Sequence, residues 1–224
     1  MNGLIACEES QRVCIEFRKK GHNAYSCDIQ KCSGGHPDWH ILDNALNVLG
    51  GGRVKLQTGK WIDIDRWDLI IAHPPCTYLS NVATRSHSKR MTPENRIEGR
   101  TIQRIQAMDF FMRCIQAPCD HIAVENPVGI MNTAYRQPDQ IIEPYQFADS
   151  ANDRENYVTK KTCLWLKNLP LLITNNLPRP DNAEIFGKHS GSGKSATWED
   201  SQRGSVERSK TFPGIAHAMA EQWG

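Results

Sequence analysis

Two short stretches carry residues able to do covalent chemistry. The first is Asp68-Leu69-Ile70-Ile71-Ala72-His73-Pro74-Pro75-Cys76-Thr77-Tyr78-Leu79-Ser80, where four apolar residues run into two prolines and a cysteine. A short apolar run bounded by breakers reads as a buried strand of a parallel sheet. The prolines lack the N–H that a central ladder needs, so the strand should stop near His73. Cys76 would then sit just past the carboxyl end, where open α/β sheets bind their ligands. A thiol there is a nucleophile if its surroundings favour the thiolate, and otherwise a small buried hydrophobe. The second stretch is Glu125-Asn126-Pro127, after the strand-like His121-Ile122-Ala123-Val124. Two strand ends would bring a thiol and a carboxylic acid to one crevice, a pairing suited to nucleophilic attack with acid assistance.

The elements that must position these residues are legible in outline. Gly3–Ala6 reads as a first strand, and Ser10 to Lys20 as a helix with Val13 and Phe17 on its apolar stripe and Gly21 as its stop. Between them, Ala6-Cys7-Glu8-Glu9-Ser10 is a turn into a helix N-terminus. It is either an ordinary loop capped by Ser10 or a cofactor loop whose helix N–H groups face an anion. It lacks the glycines of a dinucleotide fingerprint, which disfavours a nicotinamide cofactor. Asn23–Asp28 is a second strand ending in an acid, the position that holds a ribose in nucleotide-binding α/β folds. Trp39–Asp43 is a third, again with a terminal acid. Thr92-Pro93-Glu94 should open a long helix to about Gln116, with Ile102, Ile105, Met108/Asp109 and Met112 on its buried side. Lys160–Leu166 reads as a late strand with a basic start, and the chain closes with a short helix to Trp223.

Composition sets the class. The chain has 224 residues, a formal charge of +2 and eight cysteines. That length is enough for a full core and long for a disulfide-held module, so reduced thiols in a cytoplasmic setting are expected. No apolar run approaches the roughly 20 residues of a membrane span, so no membrane partner is expected. Cys27, Cys32, His36 and His40 imitate zinc ligands, but only three residues separate Cys32 from His36 where a finger needs about a dozen; no metal is expected. Gly191-Ser192-Gly193-Lys194-Ser195 imitates a phosphate loop, but Lys188 stands where its first glycine belongs. From Thr77 to Arg104, six basic residues outnumber Glu94 and Glu98. Such a run is a solvated face or, beside a nucleophile and with Ser80, Asn81 and Thr84, a phosphate-backbone contact.

Taken together these stretches resemble the DNA cytosine-5 methyltransferases, most closely the compact phage and prophage members. The resemblance rests on Ala6-Cys7-Glu8-Glu9-Ser10, Asp28, Asp43, Pro74-Pro75-Cys76, Glu125-Asn126-Pro127, Lys161-Thr162-Cys163-Leu164-Trp165-Leu166 and Phe212-Pro213-Gly214-Ile215-Ala216. It implies an α/β fold of the Rossmann-like methyltransferase type with a mostly parallel sheet, and S-adenosylmethionine as donor. The catalytic core would span residues 1–169, a small weakly cored recognition region 170–210, and a returning helix 211–224. The resemblance assigns Cys76 and Glu125 to catalysis, with Cys76 adding to cytosine C6 and a protonated Glu125 at N3. It assigns Ala6, Cys7, Glu8, Ser10, Asp28, Asp43 and Pro74 to the donor. Pro75, Ser80, Asn81, Arg85, Asn126, Pro127, Lys161 and Thr162 would face the nucleic acid. The implied partner is duplex DNA with the cytosine flipped out, in a bacterial host cell if the chain is phage-encoded. Gln11 stands where the family usually has glycine, and the small recognition region implies short specificity or a protein partner that supplies it. RNA cytosine, a free nucleotide, or a catalytically silent nucleic-acid-binding or partner protein of the same fold remain as alternatives.

Overall fold

The computed structural model describes residues 1–81, 83, 94–188, 193, 195–198 and 205–224, the side chains of 94–97, 205 and 206 excepted. Its centre is a seven-stranded sheet. Strands β1 (Asn2–Ala6), β2 (Asn23–Asp28) and β3 (His40–Leu42) pair in parallel outward from β1 on one side. β6 (Leu69–Ala72) and then β7 (Ile122–Pro127) pair in parallel on the other. β9 (Thr162–Lys167) lies antiparallel between β7 and the edge strand β8 (Gln140–Ile142). The order 3-2-1-6-7-9-8 makes a mixed, mostly parallel Rossmann-like α/β sheet. A separate antiparallel hairpin, β4 (Gly52–Lys55) and β5 (Trp61–Ile64), fills the connection between β3 and β6.

Alternation along the buried strands builds both core layers. Leu4, Ile70, Ile122 and Trp165 point to one face and Ile5, Ile71, Ala123 and Leu164 to the other, as a period of two requires. On the second face α1 (Arg12–Lys19) presents Val13, Cys14 and Phe17. The closing helix Pro213–Trp223 presents Ile215, Met219 and Trp223 beside them. On the first face the long helix α2 (Glu94–Ile115) and the hairpin cover the sheet, with Phe111 packed edge-on against Trp165 at 5.0 Å. The hairpin is an element that the sequence reading does not anticipate.

The expected buried side of α2 is corrected in its first half. Ile102 and Ile105 are 52% and 61% exposed, and core packing is carried by Phe111, Cys114 and Ile115, with Met108 and Met112 half-buried against them. A helix of 22 residues runs about 33 Å, whereas strands of four to six residues span roughly 13–20 Å. The helix outruns the face it covers.

Gln11 explains why glycine would be the easy choice at its position. It sits in the left-handed region, with φ 60° and ψ 13°, at the entry to α1. For a non-glycine residue that conformation costs about 1–2 kcal/mol. The side chain offsets it. Fully buried, its Nε2 donates to Ser26 Oγ at 3.1 Å and to the His36 carbonyl at 2.9 Å, while its Oε1 accepts from the His36 N–H at 3.0 Å. Gln11 thus ties the β2–β3 connection onto the β1–α1 turn. Gly34 closes against it, since a Cβ there would meet Ser10 O at 2.6 Å. Three hydrogen bonds, one of them fully buried, at about 1 kcal/mol each outweigh the strain. Gln11→Gly is therefore expected to destabilise the fold by about 1–2 kcal/mol in urea unfolding, although it relaxes the backbone.

Candidate functional site

Strand register assembles the site. Ala6, Cys27, Ala72 and Val124 form one row across β2, β1, β6 and β7. One residue further along lie Asp28, Cys7, His73 and Glu125, at the carboxyl ends of four parallel strands. The ladder is carried a step past β6 by the His73 N–H, which donates to the Ala6 carbonyl at 2.9 Å. Strand order reverses between β1 and β6, so this row is the switch-point crevice in which open α/β sheets bind ligands.

His73 and Glu125 meet directly, with Nδ1 2.9 Å from Oε2 and side chains 8% and 20% exposed. Desolvation works against both charged forms, but the hydrogen bond and mutual attraction win. The His73 pKa is raised and that of Glu125 lowered. Burial alone would favour the protonated acid that the resemblance implies at N3, and in the empty crevice the neighbouring imidazole reverses that preference.

Cys76 is exposed, two prolines beyond His73. Its thiol is pushed up by desolvation and by the Glu125 carboxylate, with Lys160 pulling the other way. Lys160 favours the thiolate but is outweighed. The Glu125 carboxylate thus acts electrostatically on the Cys76 thiol. Asn126 supplies the mechanical link, donating from Nδ2 to the Pro74 carbonyl at 2.7 Å while 2% exposed. Beyond Cys76, the Ile130 N–H donates to the Leu79 carbonyl at 2.8 Å and the Asn81 N–H to the Val128 carbonyl at 3.2 Å. Ser80 bridges Gly129, where any Cβ would overlap the Leu79 carbonyl. The two site loops are thus stitched together at a glycine that admits no side chain.

The donor-side residues divide. Glu8 is 4% exposed, and its carboxylate accepts from the Val13 and Cys14 N–H groups at 2.6 and 3.2 Å. The anion facing the N-terminus of α1 is the protein's own. Glu8, and not Ser10, caps this helix, which corrects the reading of Ser10 as cap and leaves Glu8 no carboxylate oxygen without a backbone donor. Asp28 is half-buried, one oxygen accepting from the Gln30 N–H at 2.8 Å and its pKa raised by desolvation. Asp43 follows β3, exposed, its Oδ1 accepting from Asn44 N and Asn47 Nδ2. Asp28 and Asp43 are therefore reachable acids at adjacent strand ends. Ala6 and Pro74 are buried, and Cys7 is half-buried with φ 61°.

Among the substrate-side residues, Pro75 is exposed and Pro127 ends β7 opposite Thr162. Thr162 is buried and Lys161 exposed. Arg85 lies outside the described residues. Sequence reasoning missed His73 as a site residue, although a histidine at a strand's carboxyl end beside a candidate nucleophile was signal enough. It also passed over Lys160 in favour of Lys161. Cys27, Cys32, His36 and His40 do not assemble as ligands: the His40 ring contacts Ser26 Oγ at 2.8 Å and the Gln30 carbonyl at 2.9 Å. Among the described residues no cluster of three metal-ligating side chains is present, and no helix is long and apolar enough to cross a membrane.

Comparison with known proteins gives little. No family model and no curated protein matches the chain. One solved structure of similar shape is provisionally described as a DNA modification methyltransferase encoded within a prophage (E. coli). It is 11% identical with a TM-score of 0.47, over 85% of this chain and 56% of that one. The chain thus spans little more than half of that neighbour's length, and a likeness this distant says nothing about activity.

Burial pushes Glu8 up to about 7, above the ordinary 4.5 of a glutamate. A carboxyl raised on folding binds its proton more tightly in the native state. Its share of stability is therefore intact below pH 4.5 and declines as pH rises toward 7 and beyond. The full difference is of order 3 kcal/mol. Glu8→Gln should flatten the fall in melting temperature between pH 5 and 8, whatever it does to absolute stability. An equal slope in both proteins would show that Glu8 ionises freely in the fold.

Proposed function

We propose that the chain is an S-adenosylmethionine-dependent methyltransferase acting on C5 of cytosine in DNA. The observation that carries this reading is that Cys76, just past β6, and Glu125, on β7, lie at the carboxyl ends of neighbouring parallel strands, on loops stitched together by Asn126 and Gly129. An amino-group methyltransferase needs no thiol at this position; attack on a ring carbon does.

The acids at the ends of β2 and β3 fit the donor. Asp28 keeps one oxygen outside its Gln30 contact and would take the ribose hydroxyls, while Asp43, one strand further out, would take the adenine. When bound, the donor supplies an electrophilic methyl group. Cys76 gives up its proton and its sulfur bonds to C6, pushing electron density to C5 and N3. Glu125, which must carry a proton to act, donates it to N3 and so stabilises the developing charge. C5 would take the methyl group as the donor departs as a neutral thioether; loss of the C5 proton to solvent then breaks the C6–S bond, N3 returns its proton to Glu125, and Cys76 is released as thiolate. A paired base cannot reach Cys76 within a duplex, so the cytosine must leave the stack. Lys160 and Lys161, just ahead of β9, would serve as cations for the nucleic acid.

The test is methyl transfer to duplex DNA from labelled donor, read by nucleoside mass spectrometry. We expect 5-methyldeoxycytidine from the wild type, none from Cys76→Ala, and at least about a hundredfold less from Glu125→Gln. Methylated adenine or N4-methylcytosine instead would overturn the reading, and 5-methylcytidine in RNA alone would move it to an RNA substrate.

A further inference from the structure

The His73–Glu125 pair faces the nucleophile, and its geometry bears on how Cys76 is kept at rest; the argument rests on the reading of Cys76 as nucleophile. Both partners are largely buried and joined at 2.9 Å. The loop that carries Cys76 is tied to the strand that carries Glu125 through the 2.7 Å bond from Asn126 to Pro74. Among the described residues, the charged groups acting on the cluster come from three elements. His73 faces Glu125 from β7, Glu8 from the β1–α1 turn and Lys160 from the approach to β9. Glu125 faces His73 and Lys160, and Cys76 faces Glu125 and Lys160. Lys160 is committed elsewhere. Its Nζ donates to the Arg208 carbonyl at 2.7 Å and lies over the rings of Trp198 and Phe212 at 5.1 and 5.6 Å. Among the described residues, the cation that acts on Cys76 is thus held by other contacts.

We propose that His73 is a positioning residue that keeps the nucleophile dormant: by holding Glu125 as a carboxylate in the empty crevice, it keeps Cys76 a thiol until a base reaches Glu125. Both charges follow from the geometry. A buried carboxylate bonded to an imidazole stays ionised, and a negative charge beside a thiol opposes a second one. The proton balance closes within the cluster. On loading, Nδ1 passes its proton to Oε2, leaving a neutral imidazole and a neutral carboxyl, and exposed Cys76 releases its own proton to solvent. The same step that readies the acid frees the thiolate, so an empty enzyme does not present a reactive sulfur to oxidants. Among the described residues His73 Nε2 is buried without a hydrogen-bond partner, which is compatible with either charge state of the ring.

The experiment is iodoacetamide alkylation of the full chain without donor or nucleic acid, followed from pH 6 to 9 by peptide mass spectrometry. Half-buried Cys32 serves as internal reference, and buried Cys114 and Cys163 report on folding. Removing either partner of the pair should make Cys76 more reactive. We expect His73→Leu and Glu125→Gln each to raise the Cys76 rate about tenfold at pH 7.5 and to shift its pH profile downward. If His73→Leu exposes Cys114 or Cys163, the smaller His73→Ser decides. Rates within twofold of wild type, or slower, in either the histidine or the glutamate variant overturn the proposal. Because no substrate is present, a positive result stands even if the methyl-transfer assay fails, and a negative result leaves methyl transfer itself untouched.

Discussion

Everything at the crevice depends on a register that places His73 and Glu125 side by side. β1, β6 and β7 are aligned so that Ala6, Ala72 and Val124 share a row, and the next row must be polar because the prolines end the β6 ladder there. A one-residue slip of β7 would turn Glu125 to the other face of the sheet and put Val124 opposite His73. The pair itself contributes stability within a bounded window. A raised histidine contributes fully below its ordinary value near 6.5 and loses its share as pH climbs through the folded value. A lowered glutamate contributes above its ordinary 4.5 and loses its share as pH falls through the folded value. Both shares are present together between about 4.5 and 6.5.

The crevice stores two further tensions. Glu8 is buried to cap α1 at the expense of holding an acid in a dry place, and it acts electrostatically on His73. Gln11 holds a strained backbone in return for three hydrogen bonds to its surroundings. Neither arrangement is needed to build a sheet. Both rigidify the turn that forms one wall of the crevice, as expected where local rules are broken near a functional site.

Much of this was legible in the residues. The strands at Leu69–Ala72 and Asn23–Asp28 and the long helix at Glu94–Ile115 follow from apolar runs and breakers. The convergence of Cys76 and Glu125 follows from two strands ending in polar residues. What escaped is what periodicity does not encode. The hairpin's pairing depends on Gly51 and Gly52 adopting positive φ, and a glycine run alone does not say whether it opens a strand pair or a loop. The exposed Ile102 and Ile105 look like core because helix spacing gives a face but not how far the sheet beneath it extends. The sign of the Glu125 shift was missed because burial alone favours the protonated acid, and only the through-space neighbour His73 reverses it.

Covalent attack by Cys76 is the central claim, and trapping the adduct tests it most directly. A duplex carrying 5-fluorocytosine cannot lose fluorine as it would a proton, so attack followed by methyl transfer should leave enzyme and DNA joined. The account predicts a denaturant-resistant complex that forms only with S-adenosylmethionine and disappears in Cys76→Ala. Absence of that complex from protein shown to bind both donor and duplex would contradict it.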